Sequence, residues 1–270
     1  MMVALSYSHQ RLSQPCRTFC LGSLLALLMA CPCVAADRHY TGVAYADGSQ
    51  RVSYREEHWL IDDRGTRTRL VLYRCPSGAA FARKWVRYNV SQASTPEFDF
   101  VDARDGYREG VHRQANGLQV YIQKDAHAIA DSIVLAPREG AVVDAGFDAY
   151  VQEHWGALSQ PGGLRATFVV PRRLTYMDLR LVVVLDDGQM RHLRMSLAGW
   201  LGVVAPTVDL IYATDGHRLL SFQGISNIRD AAGHNQRVRI EFPASQELAA
   251  PSRSDIEAAA ATPLVTHCPA

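Results

Sequence analysis

Five Asp-Gly or Asn-Gly dipeptides recur between residues 47 and 216, and they constrain the fold more than any other feature of the sequence. These residue types tolerate the positive φ angles of tight hairpin turns, and β-forming residues flank each dipeptide. The dipeptides are Asp47-Gly48, Asp105-Gly106, Asn116-Gly117, Asp187-Gly188 and Asp215-Gly216. Short turns between successive strands require antiparallel pairing. The sequence therefore predicts a mainly β protein built as an antiparallel meander.

Residue polarity alternates between these turns, as expected for strands with one buried and one solvated face. The ranges 118–123 and 237–242 show this alternation most clearly. In the range 176–185, Val182 and Val184 add apolar side chains to the second face. That pattern predicts a strand that is covered on both sides near its end.

One segment departs from the β pattern and has the spacing of a helix. Its apolar residues fall at i, i+3, i+4, i+7, i+8 and i+11, which places them on one helical face. They are Phe147, Tyr150, Val151, His154, Trp155 and Leu158. A helix with one apolar face needs a surface to cover, and a curved sheet supplies one. We therefore predict that residues 37–243 form one domain, a curved or half-open barrel with one amphipathic helix over residues 147–158.

Residues 1–36 have the order of a secretory signal peptide. A basic stretch with Arg11 and Arg17 precedes an apolar stretch that ends in small residues. A retained membrane anchor is the alternative, because no charge interrupts the chain between Arg17 and Asp37. Cys31 also follows a sequence that loosely fits a lipoprotein processing site, and its lipidation would anchor the protein. Each outcome places the chain from Asp37 onward outside the cytoplasm, in the periplasm or secreted.

The cysteines beyond the export segment are Cys75 and Cys268. In an oxidising compartment such a pair predicts a disulfide, and the alternative is a Cys268 that stays free or pairs between molecules. Residues 244–270 are rich in Ala, Ser and Pro and are predicted to form a C-terminal tail. The tail either contains a helix through residues 254–261 with Ser254 as its cap, or is a flexible arm.

No motif in the sequence assigns an activity. Nucleophile elbows, zinc-protease motifs, phosphate-binding loops and dinucleotide fingerprints do not occur, so we assign no catalytic residue, metal or cofactor. An acidic residue precedes His58 and also His154, which makes these two the candidates for acid–base chemistry. A net charge of +1 gives no electrostatic reason to expect nucleic acid as a partner.

Four segments resemble those of a group of exported bacterial β-rich proteins that carries no assigned activity. The segments are YRCPSG at 73–78, ARK at 82–84, GYREG at 106–110 and FQGISNIRD at 222–230. The order of signal peptide, β-meander and single helix also resembles, more distantly, the periplasmic lipoprotein-carrier superfamily. The half-open barrels of that superfamily hold acyl chains under a helical lid. This likeness implies an architecture and transfers no functional residue.

The sequence thus predicts an exported, non-enzymatic protein that binds or carries a lipid or another apolar small molecule. Concave apolar cavities in barrel mouths are common ligand sites. The residues predicted to line the cavity are Phe147, Tyr150, Val151 and Trp155, and the alternative is that they are ordinary core residues. Two further functions stay open. One is a cell-envelope scaffold that recruits a protein by strand-edge pairing, and the other is a hydrolase of unknown substrate that uses His58 or His154.

Overall fold

The computed structural model describes residues 37–63, 65–199, 202, 206–230 and 232–269. The predicted signal peptide, the alternative anchor and Cys31 lie outside these residues. The chain divides into two units, Met1–Val34 and Ala35–Ala270, and the fold is that of the second. Within the described part of the chain, no helix is both long enough and apolar enough to cross a membrane.

Strands dominate the described residues and join into one sheet of sixteen. The strands are β1 Arg38–Ala46, β2 Val52–Asp63, β3 Thr66–Arg74, β4 Ala80–Asn89, β5 Glu97–Asp102, β6 Tyr107–Gln114, β7 Gly117–Gln123, β8 Asp131–Leu135, β9 Ala141–Val142, β10 Leu164–Val170, β11 Thr175–Asp186, β12 Met190–Leu197, β13 Val208–Ala213, β14 Leu219–Arg229, β15 Asn235–Glu241 and β16 Glu247–Leu248. The helices are α1 Gly146–Glu153 and α2 Arg253–Ala260.

The sheet consists of two meanders that meet at β1. Strands β1 to β8 pair in chain order, β10 to β15 do the same, and β15 pairs with β1 to join the two series. The pairing is antiparallel apart from the short parallel contact of β9 with β10. Strands β8 and β9 form the two ends of the sheet, which is not closed. The predicted mainly β, antiparallel and half-open architecture is confirmed.

The hairpin turns lie where the Asp-Gly and Asn-Gly dipeptides predict them. The dipeptides connect β1 to β2, β5 to β6, β6 to β7, β11 to β12 and β13 to β14. Gly48, Gly106, Gly188 and Gly216 adopt φ angles between 65° and 82°, which residues with a Cβ atom rarely adopt. Local turn chemistry therefore sets the meander.

Curvature brings the two meanders face to face across an apolar interior. The turn after β10, at Pro171–Arg173, contacts β6 and β7 of the first meander. Val169 of β10 and Ile228 of β14 belong to the same buried cluster as Tyr54 and Phe100 of the first meander. The sheet is therefore folded over onto itself, with its core between the two halves.

Helix α1 is shorter than predicted. It ends at Glu153, and a separate short 3₁₀ helix at Ala157–Ser159 follows. His154 leaves the helical conformation, with φ of −103° and ψ of 21°. Leu158 nevertheless belongs to the same buried cluster as Tyr150.

The C-terminal segment packs onto the outside of the sheet, so the flexible-arm alternative is wrong. Helix α2 begins after Ser252, whose hydroxyl accepts a hydrogen bond from the Asp255 N–H in a capping box. The predicted cap at Ser254 is therefore corrected, because the helix begins two residues earlier than predicted and Ser252 forms the capping box with Asp255. The predicted disulfide between Cys75 and Cys268 is present and attaches the end of the chain to the turn after β3.

The prediction that the strand through residues 176–185 is covered on both sides near its end is wrong. Val184 and Leu185 are 49% and 53% exposed, although Leu181 in the middle of β11 is fully buried. Val183 is the last residue of this strand that packs against the buried cluster. The strand then continues toward its turn without a covering layer.

Candidate functional site

A cavity of about 470 Å³ lies between the two meanders, beside the first turn of α1. Ligand sites in proteins commonly have volumes of roughly 300–1,000 Å³. Five residues in and just before α1 reach its wall, namely Asp144, Ala145, Phe147, Asp148 and Gln152. The cavity is thus the structural counterpart of the predicted space between a curved sheet and its single amphipathic helix.

The second meander and the residue after it supply an apolar wall. This wall consists of Phe168, Met195, Leu210, Leu219, Phe222, Ile240 and Phe242. Phe168 also makes an edge contact with Phe147 of α1, with 6.4 Å between the ring centroids. A ligand that covers these side chains removes them from water, which is favourable by about 25 cal/mol per Å² of apolar surface.

The first meander supplies a more polar wall of the cavity. Its polar side chains are Tyr40, Glu56, His58, Arg69, Tyr73, Lys84 and Glu109, and its apolar members are Val71 and Phe98. Pairing in register places Tyr40 opposite His58, His58 opposite Val71, and Val71 opposite Lys84. Residues that pair directly across neighbouring strands share a face, so their side chains form one row inside the cavity.

The outer face of the first meander explains why its polar residues point inward. Leu70 and Leu72 of β3 face outward, where they are fully buried against α2 through Ile256. Since side chains alternate along a strand, Arg69 and Val71 must face the interior. The helix on the outside therefore reverses the usual arrangement in which a strand directs its apolar face to the core.

Arg69 carries a positive charge into the cavity without a direct partner. Its Nε atom is inaccessible to solvent and has no hydrogen-bond partner in the described part of the chain. No carboxylate of that part lies within 4.0 Å of the guanidinium. Burial lowers the pKa of Arg69, but Tyr40, Tyr88 and Asp148 outweigh burial and raise it overall, so the side chain is charged.

Asp148 and Tyr212 lie next to each other in the same region. Oδ1 of Asp148 and the hydroxyl of Tyr212 are both buried, and the two side chains interact with each other, while no other residue in the described part of the chain bonds to either atom. Burial raises the pKa of Asp148, although the charge of Arg69 opposes the shift. Burial and the neighbouring Asp148 raise the pKa of Tyr212. Arg69, Asp148 and Tyr212 are called the polar floor below.

Lys84, unlike Arg69, has a close counter-charge. Its Nζ donates a hydrogen bond of 2.7 Å to Oδ1 of Asp144, just before α1. The side chains of the pair are only 9% and 19% exposed, so water screens their interaction weakly. Tyr73 and Phe100 also present their rings to the ammonium group, with 5.9 Å from each centroid to Nζ. This pair ties the start of α1 to the polar wall.

His58 and Glu56 form a buried acid–base pair on the polar wall. Nε2 of His58 lies 3.2 Å from Oε2 of Glu56, and the ring stacks on Tyr40 with 4.6 Å between centroids. Burial lowers the pKa of His58, and Glu56 only partly opposes this shift. The second hydrolase candidate, His154, lies apart from this pair and bonds through Nδ1 to the carbonyl of Tyr150. Hydrolysis by either histidine stays a prediction.

Acidification is expected to destabilise the protein through His58. The unfolded chain binds a proton below about pH 6.5, whereas the buried ring, with its lowered pKa, resists protonation. The stabilisation from the neutral ring is therefore present above that pH and is lost as the pH falls below it. Glu56 opposes this loss only in part, because Arg69 and Lys84 also disfavour the imidazolium. Urea denaturation at about pH 7 and 5 is expected to show a smaller loss in His58→Gln than in wild type. Equal losses in the two proteins would contradict this assignment.

The four residues predicted to line the cavity lie at different places in the structure. Phe147 lies on the wall of the cavity between the meanders, and Tyr150 lies on a separate recess of about 660 Å³, where its hydroxyl donates to the carbonyl of Arg165. Val151 is fully buried in the second cluster. Trp155 stacks on His217, with 4.0 Å between ring centroids.

The ionisable groups of the described residues do not converge on a metal site. No group of three or more His, Cys, Asp or Glu side chains in this part of the chain is arranged to hold a metal ion. The acidic residues between Asp99 and Glu109 bond to separate local partners, such as Asp102 to Arg104 and Glu109 to Tyr107.

Comparison of the chain with known proteins adds no assignment. No family model matches it, and no curated protein matches its sequence. The geometry of the cavity is therefore the basis for inferring a function.

Proposed function

We propose that this protein binds one amphipathic, lipid-like molecule in the cavity and acts as a binding or carrier protein rather than as an enzyme. The observation that carries the proposal is the presence, in one cavity, of an apolar wall and a polar wall. Such a site matches a ligand that has an apolar body and a polar head, because each part meets a wall of its own kind.

The compartment proposed for this function is the periplasm or the extracellular space. The signal-like order of residues 1–36 supports export. The disulfide between Cys75 and Cys268 supports an oxidising compartment, since disulfides rarely persist in the cytosol. A carrier in such a compartment shields an apolar molecule from water while the molecule moves between membranes.

Filling the cavity is expected to abolish ligand binding. Met195 lies on the apolar wall, so the indole of Met195→Trp occupies space that the ligand needs. Affinity for the uncharged dye N-phenyl-1-naphthylamine is expected to fall about tenfold or more, because overpacking typically costs about 1–3 kcal/mol. Fluorescence titration of the dye into the purified protein measures the change.

Met190→Trp is the matched control, because Met190 starts the same strand but is 38% exposed. This variant is expected to bind the dye as wild type does. The proposal fails if wild type takes up no dye, or if Met195→Trp binds it as tightly as Met190→Trp does.

The terminal strand β8 favours a second candidate function, a cell-envelope scaffold. Ile133 and Val134 on this strand are 44% and 38% exposed, and β8 has a described partner strand on one side only. An extended segment of another protein could add to such an edge. Native mass spectrometry of protein purified from envelopes without detergent separates the two candidates. A stoichiometric lipid supports the carrier, and a stoichiometric protein supports the scaffold.

A further inference from the structure

We infer that the head of the ligand is a single carboxylate, held by Arg69 on the polar floor, and that its tail is an acyl chain along the apolar wall. This inference rests on the proposed binding function and specifies the class of ligand. Its starting point is the guanidinium of Arg69, which faces the cavity with a buried and unpartnered Nε. Arginine binds carboxylates with two parallel hydrogen bonds, so a carboxylate head matches this side chain.

The other cationic side chains on the cavity wall already have partners. Lys84 pairs with Asp144, and Arg38 pairs with Glu247 at 2.8 Å. Arg172 donates to the side chain of Asn235, and Arg218 donates to the carbonyl of Phe242. Within the described residues, Arg69 is thus the one cation of this wall without a hydrogen bond or close ion pair. The Nε of Arg69 is buried while the residue as a whole is partly exposed, so a bound anion would give this group the partner that it lacks.

The neighbours of Arg69 favour one negative charge over two. Asp148 and Asp144 both act electrostatically on Arg69, so a dianionic phosphate would bring its second charge close to carboxylates. A carboxylate adds a single charge, which the guanidinium compensates. Tyr212 also lines this part of the cavity, where its hydroxyl interacts with Asp148.

The apolar wall begins next to the polar floor, which sets the direction of the tail. Tyr212 and Leu210 lie on β13 with one residue between them, so their side chains share a face. Leu210 pairs with Phe222 of β14, and Phe222 pairs with Ile240 of β15. An acyl chain with its carboxylate on the floor can therefore follow this cross-strand row. The ligand class that results is a free long-chain fatty acid.

Three ligands with the same chain test the head group. Hexadecanoic acid, hexadecan-1-ol and hexadecyl phosphate are each titrated against the N-phenyl-1-naphthylamine complex of the full exported chain at about pH 8, where a free carboxylate is ionised. The acid is expected to displace the dye at a concentration about 10- to 100-fold lower than the alcohol, since a hydrogen bond to a charged group contributes that much. Hexadecyl phosphate is expected to displace the dye less effectively than the acid, so that a higher concentration is needed.

Variants of Arg69 test whether this side chain causes the preference for the acid over the alcohol. In Arg69→Met the acid-to-alcohol ratio is expected to fall to about one, and in Arg69→Lys it is expected to be intermediate, because lysine keeps the charge and loses the planar fork. Arg194→Met is the matched control, since Arg194 is exposed on the apolar-wall strand β12 and pairs with Asp209. This control is expected to keep the ratio of wild type.

Each outcome separates the head-group inference from the proposed function. If wild type takes up no dye, the binding function itself fails. If dye binds but acid and alcohol displace it equally, the cavity function stands and the carboxylate inference is overturned. A phosphate that displaces the dye better than the acid overturns the single-charge inference. If Arg69→Met does not fold, the ratio in Arg69→Lys still decides, because a ratio equal to that of wild type contradicts a bidentate role for Arg69.

Discussion

Removal of the disulfide between Cys75 and Cys268 is expected to lower the free energy of unfolding by as much as about 5 kcal/mol. The bridge joins residues that are 193 positions apart, so it restricts a very long loop of the unfolded chain. The folded state changes little without the bridge, because the Val265 N–H bonds to the carbonyl of Ala80 and Ile256 packs on β3. Urea denaturation of the double variant Cys75→Ala, Cys268→Ala measures the loss.

Reduction of wild type by dithiothreitol is the control for this variant. Both treatments remove the bridge, so both are expected to shift the urea midpoint by the same amount, and a larger shift in the variant would report packing lost at the buried Cys75. A loss below about 1 kcal/mol in both would show that the contacts of α2, rather than the bridge, hold the C-terminal segment.

Local chemistry made the meander predictable. Each Asp-Gly or Asn-Gly dipeptide acts through its own backbone angles, so turns such as Asp187-Gly188 can be recognised without knowledge of the rest of the fold. The strand between residues 117 and 123 follows from its own alternation in the same way. The length of α1 was less predictable, because its apolar stripe continues to Leu158 across a turn that spacing alone does not reveal.

The polar wall could not be predicted from alternation, because a distant segment decides which face of the strand is the interior. In β3, Leu70 and Leu72 alternate with Arg69 and Val71, and sequence alone favours the leucines as the core face. Helix α2 covers the leucines from outside and leaves Arg69 facing the cavity. The residues of this helix were predicted to belong to a C-terminal tail, so their pattern did not indicate that a charged face of β3 turns inward.

The candidate site was only partly visible in the sequence for a related reason. The helical stripe indicated where the cavity would be, and Phe147 does lie on its wall. An acidic residue in the first turn of a helix, such as Asp148, is explained by the helix alone. Its interaction with Arg69 of a distant strand could therefore not be predicted from the sequence. Charged residues within strands that are apolar on both faces, such as Lys84 beside Trp85, are the signal that could have indicated a polar interior.

Arg69 and Lys84 show how two interior cations can serve different purposes in the same sheet. Lys84 has Asp144 at hydrogen-bond distance, so its charge is compensated within the fold. Arg69 lacks such a partner among the described residues and faces the same cavity. Substitution of Lys84 is therefore expected mainly to lower the free energy of unfolding, whereas substitution of Arg69 is expected mainly to change which ligands bind. Sites that bind ligands often retain groups that do not stabilise the free protein.

The variant Lys84→Met is accordingly expected to lower the free energy of unfolding by about 3–5 kcal/mol. Methionine keeps much of the apolar volume of the stem, but it leaves the carboxylate of Asp144 without its counter-charge in a poorly solvated place. A second oxygen of that carboxylate, Oδ2, already lacks a partner among the described residues. Urea denaturation at about pH 7 measures the loss, because the carboxylate is ionised there in the unfolded chain.

Two further variants determine whether the loss comes from the buried pair. Lys124→Met is the matched control, because Lys124 lies 3.9 Å from Asp131 with both side chains more than half exposed, and its loss is expected to stay within about 0.5 kcal/mol. Adding Asp144→Asn to Lys84→Met removes the uncompensated charge and is expected to recover part of the stability. If Lys84→Met loses no more than Lys124→Met does, the ion pair does not stabilise the start of α1, and apolar packing alone must hold the helix against the cavity.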